Sequence, residues 1–129
     1  MKPSVLFVDD DPDVLDGLSH LLRGKPVQAY FARSAQQGWC IVQTQEIDVI
    51  VSDERMPRIT GNELLTRISK THPQIVRILL TGQADWLSVL RAINESEVFR
   101  FLVKPIRPEE LLEQLQQAIA FSQRVKQRG

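Results

Sequence analysis

The chain has 129 residues, 43% of them hydrophobic and 25% charged, which is the composition of one soluble globular domain able to bury its own core. Its 16 basic residues balance its 16 acidic ones, which argues against a nucleic acid or a membrane surface as the main partner, because both require clustered positive charge. A single cysteine excludes an internal disulfide, and no apolar run reaches the roughly 18–20 residues that span a bilayer, so we expect a cytoplasmic protein that makes no membrane contact.

Short apolar runs alternate with segments of helical periodicity along the chain. The apolar runs are too short for free-standing helices, and they predict buried strands. The other segments carry apolar residues three or four positions apart, which predicts amphipathic helices. In chain order we predict strand 5–8, helix 12–22, strand 27–32, helix 35–44 after the cap residue Ser34, strand 48–52, helix 62–70, strand 75–80, helix 84–94, strand 98–103 and helix 108–124.

This alternation of five strands and five helices indicates an α/β fold. Strands 48–52 and 75–80 are apolar on both faces, which is typical of a parallel sheet covered by helices on both sides. Right-handed crossovers between successive strands then give a doubly wound, three-layer sandwich. The sequence contains no internal repeat and no sign of a second domain.

Polar residues follow four of the five predicted strands at their carboxyl ends. In chain order they are Asp9 and Asp10, Asp53, Thr81 with Gly82, and Lys104. Each of them alone has an ordinary structural explanation as a helix cap, a partner for a backbone group or a solvated side chain. Because the carboxyl ends of parallel strands meet at one edge of the sheet, their joint placement predicts a functional site there.

The charges at this edge indicate the chemistry of the site. Three carboxylates at close range repel one another, so the cluster either holds a proton or binds a cation. Ligands that are all oxygen favour Mg²⁺, Mn²⁺ or Ca²⁺, and Mg²⁺ readily accepts a phosphoryl oxygen. Asp53 begins the long loop 53–61 and is the best-placed nucleophile for attack on phosphorus. Lys104 and the Thr81 hydroxyl would stabilise the phosphoryl oxygens, and Gly82 would let the backbone approach them closely.

The strand ends carry four motifs, which are Val8-Asp9-Asp10-Asp11-Pro12, Ser52-Asp53-Glu54-Arg55-Met56-Pro57 with Gly61, Leu80-Thr81-Gly82, and Phe101-Leu102-Val103-Lys104-Pro105. These motifs resemble those of the receiver domains of two-component response regulators. The resemblance covers nearly the whole chain, with the motifs in order and at typical spacing. It implies a flavodoxin-like sheet with strand order 2-1-3-4-5, and a phosphorylation-dependent signalling switch rather than a turnover enzyme.

The same resemblance implies which residues bind metal and which accept the phosphoryl group. Asp53 is the expected phosphoacceptor. Mg²⁺, or Mn²⁺ in its place, is expected on Asp10, Asp53 and the backbone carbonyl of Arg55, with Asp9 bound to it directly or through water.

Further residues are expected to contact the phosphoryl group and to transmit its presence. Thr81 and Lys104 would contact the phosphoryl oxygens, with the backbone of Gly82 beside them, and the Lys104–Pro105 peptide bond is expected to be cis. The switch would pair Thr81 with Phe101, an aromatic residue that rotates in this family. Plain core filling is the alternative explanation for Phe101.

The resemblance also implies the partners. A histidine kinase or a phosphotransfer protein would donate the phosphoryl group, and the surface formed by the fourth helix, fifth strand and fifth helix would then change its preferred partner. That partner would be a C-terminal output module or a second copy of the chain. No direct contact with nucleic acid is expected from this domain.

A narrower resemblance concerns the output module. The stretches 77–85, 92–94 and 99–101 are similar to receivers joined to HD-GYP phosphodiesterase modules or to some transcriptional activators. We expect residues 1–122 to form the receiver and residues 123–129 to be the end of the last helix or the start of a linker.

Two alternative functions have sequence features of their own. Asp9-x-Asp11 after an apolar strand is similar to phosphohydrolases that use an aspartate nucleophile, but Asp13 stands where those enzymes usually have threonine or valine. The second alternative is a docking module of the same fold that works without phosphorylation. The complete set of acids, threonine and lysine argues against it.

Overall fold

The computed structural model describes residues 2–82 and 86–128. The strands are β1 (Ser4–Val8), β2 (Gln28–Ala32), β3 (Val49–Asp53), β4 (Val76–Thr81) and β5 (Arg100–Val103). The helices are α1 (Pro12–Leu22), α2 (Ala35–Thr44), α3 (Gly61–Thr71), α4 (Trp86–Arg91) and α5 (Pro108–Arg128), and a π-helical segment (Ala92–Ser96) follows α4 directly.

The five strands form one sheet with the order β2-β1-β3-β4-β5, and every pair is parallel. The register places Val5 of β1 between Ala29 of β2 and Val49 of β3. This confirms the predicted doubly wound fold and its strand order. All five carboxyl ends therefore lie along one edge of the sheet, where sites form in folds of this kind.

Two hydrophobic layers cover the sheet because successive strand residues point to opposite faces. Leu6 and Ile50 belong to the layer that packs on α2 and α3. Val5 and Val51, one position away in each strand, belong to the layer that packs on α1 and α5. This alternation explains why the central strands are apolar throughout, as the sequence indicated.

The fourth helical segment differs from the sequence prediction of a helix over 84–94. The predicted start lies outside the described residues, α4 ends at Arg91, and the chain continues as a π-helix. The three apolar residues at helical spacing, Leu87, Leu90 and Ile93, are exposed, whereas Val89 is buried. Periodicity identifies an apolar face of a helix, but it does not tell whether that face packs inward or remains in solvent.

The fifth strand begins at Arg100, two residues later than predicted, and Arg77 of β4 contacts the segment before it. The Arg77 guanidinium is buried and donates to the carbonyl oxygens of Pro73 (3.2 Å), Ile75 (2.9 Å) and Glu97 (3.1 Å). Glu97 has a left-handed backbone conformation, with φ of 50°. Burial lowers the pKa of Arg77, and attraction to the Glu97 carboxylate opposes that shift.

The last helix runs to Arg128, four residues beyond the predicted end, and contacts between its second half and the domain support that length. Lys126 forms an ion pair with Asp48, whose other carboxylate oxygen accepts a hydrogen bond from the Ser4 amide at 2.8 Å. The Phe121 ring lies 5.0 Å from that of Phe99. Within the described residues, no helix is both long and apolar enough to cross a membrane.

Candidate functional site

The parallel topology brings the predicted site residues to one edge of the sheet. Asp53 is the last residue of β3 and Thr81 the last of β4. Asp9 and Asp10 directly follow β1, and Lys104 directly follows β5. Because β1, β3, β4 and β5 are neighbours, one pocket can receive all of these side chains.

Charged groups from three strand ends are in direct contact in this pocket. The Lys104 ammonium nitrogen lies 2.8 Å from Asp53 Oδ1 and 3.6 Å from Asp9 Oδ2. Carboxylate oxygens of Asp9, Asp10 and Asp53 all lie within 4.8 Å of one another. Three carboxylates against one ammonium leave an excess of negative charge that a divalent cation would neutralise.

One oxygen of this cluster lacks a hydrogen-bond donor. Asp9 is buried, its Oδ1 accepts from the Asp11 amide at 2.9 Å, and its Oδ2 has no hydrogen-bond partner within 3.5 Å, since the Lys104 ammonium lies 3.6 Å away. A buried carboxylate oxygen without a donor is costly unless a cation or water satisfies it. The residues present thus fit a hard cation such as Mg²⁺, which binds carboxylate oxygens.

Burial and charge shift the titration of the central pair. Desolvation raises the pKa of Asp53, the hydrogen bond and attraction from Lys104 oppose this, and repulsion from Asp9 and Asp10 adds to it. Burial alone would lower the pKa of Lys104, but its hydrogen bond and attraction to Asp53 outweigh that, so its pKa is raised. Lys104 is therefore a permanent cation near neutral pH.

The raised pKa of Asp53 predicts that this carboxylate destabilises the metal-free fold. The pKa of Asp53 in the folded protein exceeds its ordinary value of 3.8. Protonated Asp53 is therefore compatible with the fold below pH 3.8, and the fold loses free energy of unfolding as pH rises through the folded pKa and the carboxyl ionises. With a chelator at pH 7, Asp53→Asn is therefore expected to melt at a higher temperature than the wild type. The difference should vanish below pH 3.8. Thermal unfolding at both pH values checks this, and a less stable variant at pH 7 would contradict it.

Thr81 and Gly82 border the pocket from β4. Thr81 is buried, and its hydroxyl donates to the Gly82 carbonyl oxygen at 3.3 Å. The Lys104–Pro105 peptide bond is cis, as expected. Arg55 lies two residues beyond Asp53, in the loop that leads to α3.

Phe101 does not fill the core. It is 36% exposed on β5, and Val103 two positions further along the same strand is 44% exposed. Leu87 and Leu90 of α4 and Ile93 of the following π-helical segment are large apolar residues that are also exposed. We call this set the α4–β5 face.

Glu54 and Asn62 support the site, although the sequence analysis gave neither of them a role in it. Glu54 is buried, and its carboxylate accepts a hydrogen bond from the Asn62 amide at 2.8 Å, which satisfies a free donor at the start of α3. The Gly61 amide donates to the Glu54 carbonyl oxygen at 3.0 Å. These contacts hold the start of α3 against the end of β3. The signal available in the sequence was the position of Glu54 directly after Asp53, within the second strand-end motif.

Gly61 permits a close approach of α3 to the Asp53 backbone. An added Cβ would overlap the Asp53 carbonyl oxygen and lie 3.0 Å from Ser52 Oγ. We therefore expect Gly61→Ala to cost about 1–3 kcal/mol of unfolding free energy, as overpacking does. Urea denaturation measures this cost.

Gly17 provides a matched control for that substitution. It lies inside α1, and an added Cβ there meets nothing within 4 Å. Gly17→Ala should stabilise the fold by about 0.5–1 kcal/mol, because alanine favours helix. Equal effects of the two substitutions would show that the close approach at Gly61 is unimportant.

Comparison with known proteins gives a family for this fold and site. The family model described as "Response regulator receiver domain" matches residues 5–116. The hydrogenase transcriptional regulatory protein HoxA of Cupriavidus necator is 31% identical over 118 residues, which cover 92% of this chain and 24% of HoxA. The transcriptional regulatory protein GlrR of Escherichia coli is 30% identical, covering 92% of this chain and 27% of GlrR. The chain thus spans about a quarter of the length of these relatives.

A solved structure extends the similarity to nearly the whole chain. The signal receiver domain of an HD domain-containing protein from Pseudomonas fluorescens Pf-5 superposes with a TM-score of 0.95 at 37% identity, covering 99% of this chain and 94% of that one. Receiver domains of response regulators are regulatory modules of two-component systems. On its sheet order, its acidic pocket and these matches, the chain belongs to the response regulator receiver domain family.

Proposed function

We propose that this chain is a phosphorylation-dependent switch that accepts a phosphoryl group on Asp53 with the help of Mg²⁺. The observation that carries the proposal is the contact geometry of the pocket. Three carboxylates cluster within 4.8 Å, and the Lys104 ammonium lies 2.8 Å from the proposed nucleophile. Phosphoryl transfer requires mainly this kind of positioning and charge stabilisation.

The proposed reaction transfers phosphorus from nitrogen to oxygen. A carboxylate oxygen of Asp53 attacks the phosphorus of a kinase phosphohistidine, forming an O–P bond as the N–P bond breaks. The imidazole nitrogen leaves with the bonding electron pair. Lys104 and the Thr81 hydroxyl stabilise the phosphoryl oxygens, and the Gly82 backbone borders them. The chain would catalyse its own phosphorylation and dephosphorylation, without turnover of another substrate.

Asp9, Asp10, Asp53 and the Arg55 carbonyl are the proposed metal ligands. When bound, Mg²⁺ or Mn²⁺ would offset the excess carboxylate charge and attract the phosphoryl oxygens. The Asp9 oxygen that has no hydrogen-bond donor supports this assignment. Asp10 is exposed, so it leaves the pocket open to solvent and to a phosphodonor.

Thr81 and Phe101 are the proposed switch. In the present conformation the Thr81 hydroxyl donates to its neighbour Gly82, and Phe101 is partly exposed. We propose that a phosphoryl group on Asp53 draws the Thr81 hydroxyl towards it and that Phe101 moves inward. Phosphorylation would thus bias two existing conformations.

The α4–β5 face, with the adjoining side of α5, is the proposed signalling surface. Its large apolar side chains are exposed, and such patches commonly mark protein interfaces. An output module or a second copy of the chain would bind there. An HD domain and a transcriptional regulator are the two candidate outputs, because both kinds of protein contain similar receivers. Direct contact with nucleic acid is not part of this proposal.

We propose residues 1–122 as the receiver and residues 123–129 as the helix end or the start of a linker. The ion pair between Lys126 and Asp48 keeps this end of α5 near the domain. A kinase or phosphotransfer protein as donor would place the chain in the cytoplasm.

Beryllofluoride, which mimics a phosphoryl group on a carboxylate, tests the switch. With Mg²⁺ present, it should shift the amide NMR signals of residues around Asp53 and also those of Phe101 and Leu90. The signals of Gln28 and Ala29 should hardly move, because these residues lie at the amino end of β2, away from the pocket. The signals of Phe101 and Leu90 should shift because binding energy at the pocket selects the conformation with Phe101 inward.

Omitting Mg²⁺ is the control and should abolish these shifts. If beryllofluoride with Mg²⁺ leaves the α4–β5 face unchanged, the chain does not switch. A docking module that works without phosphorylation would then be the better account.

A further inference from the structure

A second concave site lies near the amino ends of β1 and β2, whereas Asp53 lies at the carboxyl ends of the strands. It is a groove of about 680 Å³ between the end of α1, the turn before β2 and the side of α5 that carries Leu112, Leu115 and Ile119. Volumes of about 300–1,000 Å³ are usual for small-molecule sites. None of the proposed phosphorylation or switch residues lines it.

The groove is lined mostly by apolar residues, with Gln116 and Gln123 of α5 as its uncharged polar residues. Leu22 and Leu115 are buried members of the core and form part of its lining. Val27 and Ile119 line it from either side and are only partly covered by the core. A ligand could therefore remove apolar surface from water without displacing core residues, at roughly 25 cal/mol per Å².

The charged residues of the groove are all basic. Among the described residues that line it, Lys2 and Lys25 are the charged ones, both are exposed, and no carboxylate is present. An apolar floor with two ammonium groups at the rim complements a molecule that has an apolar body and a negative head.

We propose that this groove binds a small amphipathic carboxylate as a monomer. Its apolar body would lie along Leu22, Leu115 and Ile119, and its carboxylate would reach Lys2 and Lys25. The site would connect α1 to α5, so its occupancy would affect the helix that carries the carboxyl end of the chain. This proposal does not depend on phosphorylation of Asp53.

Decanoate and the uncharged decanol are the probes that test the proposal. In titrations followed by amide NMR, decanoate should produce saturable shifts at Val27 and Ile119 below its micelle-forming concentration. Lys2→Glu with Lys25→Glu should weaken decanoate about fivefold, since the two exposed charges that attract its carboxylate are replaced by charges that repel it. Decanol affinity should be unchanged. Because both lysines are exposed, the double variant should fold normally.

Two control variants separate the groove from other surfaces. Lys70→Glu on α3 changes charge away from the groove, and Leu90→Ser reduces the competing α4–β5 face. Neither should alter the decanoate shifts at Val27 and Ile119. The proposal is overturned if the shifts centre on α4 and β5, if they fail to saturate, or if charge reversal leaves decanoate affinity unchanged.

Discussion

Asp53→Asn is expected to reduce phosphorylation by a small acyl phosphate with Mg²⁺ by more than about 1,000-fold. Loss of a catalytic nucleophile slows reactions on this scale or more. The amide has no anionic oxygen to attack phosphorus, while the remaining ligands and Lys104 still hold the pocket. Intact-mass spectrometry, which detects the added phosphoryl group over time, measures the rate.

Asp16→Asn is the matched control for this substitution. Asp16 is an exposed acid of α1 and does not belong to the carboxylate cluster. This variant should be phosphorylated like the wild type. Rapid and stoichiometric phosphorylation of Asp53→Asn would show that another residue is the acceptor.

Lys104→Met is expected to tighten Mg²⁺ binding and to impair phosphoryl acceptance. The Lys104 ammonium lies 2.8 Å from Asp53 and would compete with a divalent cation for this carboxylate, so affinity should rise about tenfold when the ammonium is removed. Phosphorylation should fall about 100-fold, because the variant loses a charged donor to the phosphoryl oxygens. Calorimetric titration with Mg²⁺ and the mass assay measure the two effects.

Lys70→Met controls for the general loss of one positive charge. Lys70 is exposed in the last turn of α3, remote from the pocket, and both measurements should stay at wild-type values. Weaker Mg²⁺ binding by Lys104→Met would mean that the ammonium supports metal binding instead of competing with it. The proposed division of roles in the pocket would then be wrong.

The phosphohydrolase alternative assigns the nucleophile to Asp9 and depends on the pattern Asp9-x-Asp11. In the structure the Asp11 carboxylate accepts a hydrogen bond from the Asp13 amide at 2.9 Å and acts as the cap of α1. That contact gives Asp11 an ordinary structural role. Asp9 and Asp53 both belong to the acidic cluster and lie near Lys104, but Asp53 is closer to the ammonium, at 2.8 Å against 3.6 Å.

The sequence predicted the fold, and the grouping of strand-end residues at one edge of the sheet, for a physical reason. Strand periodicity and parallel topology together determine where strand ends meet, so residues far apart in sequence could be grouped before any distance was known. The pair Lys104 and Asp53, 51 positions apart in the printed sequence, is in contact as that grouping implied. The complete set of motifs strengthened the inference, because each residue alone was ambiguous.

Other features depended on three-dimensional packing that periodicity does not encode. The outward direction of Leu87 and Leu90 required knowledge of what covers α4. Gly61 is needed because the backbone carbonyl of Asp53, at the end of β3, occupies the space that a Cβ at position 61 would fill. The segment before β5 is held by a hydrogen bond from Arg77 of β4 to the Glu97 carbonyl oxygen, a contact between residues 20 positions apart in sequence.

The most direct test is to identify the phosphorylated residue in the wild-type chain. Borohydride reduces an aspartyl phosphate to homoserine, a change that peptide mass spectrometry can assign to one position. After reaction with an acyl phosphate and Mg²⁺, we expect homoserine at position 53 and unmodified aspartate at position 9. Homoserine at position 9 would contradict the account and favour an aspartate-nucleophile phosphohydrolase.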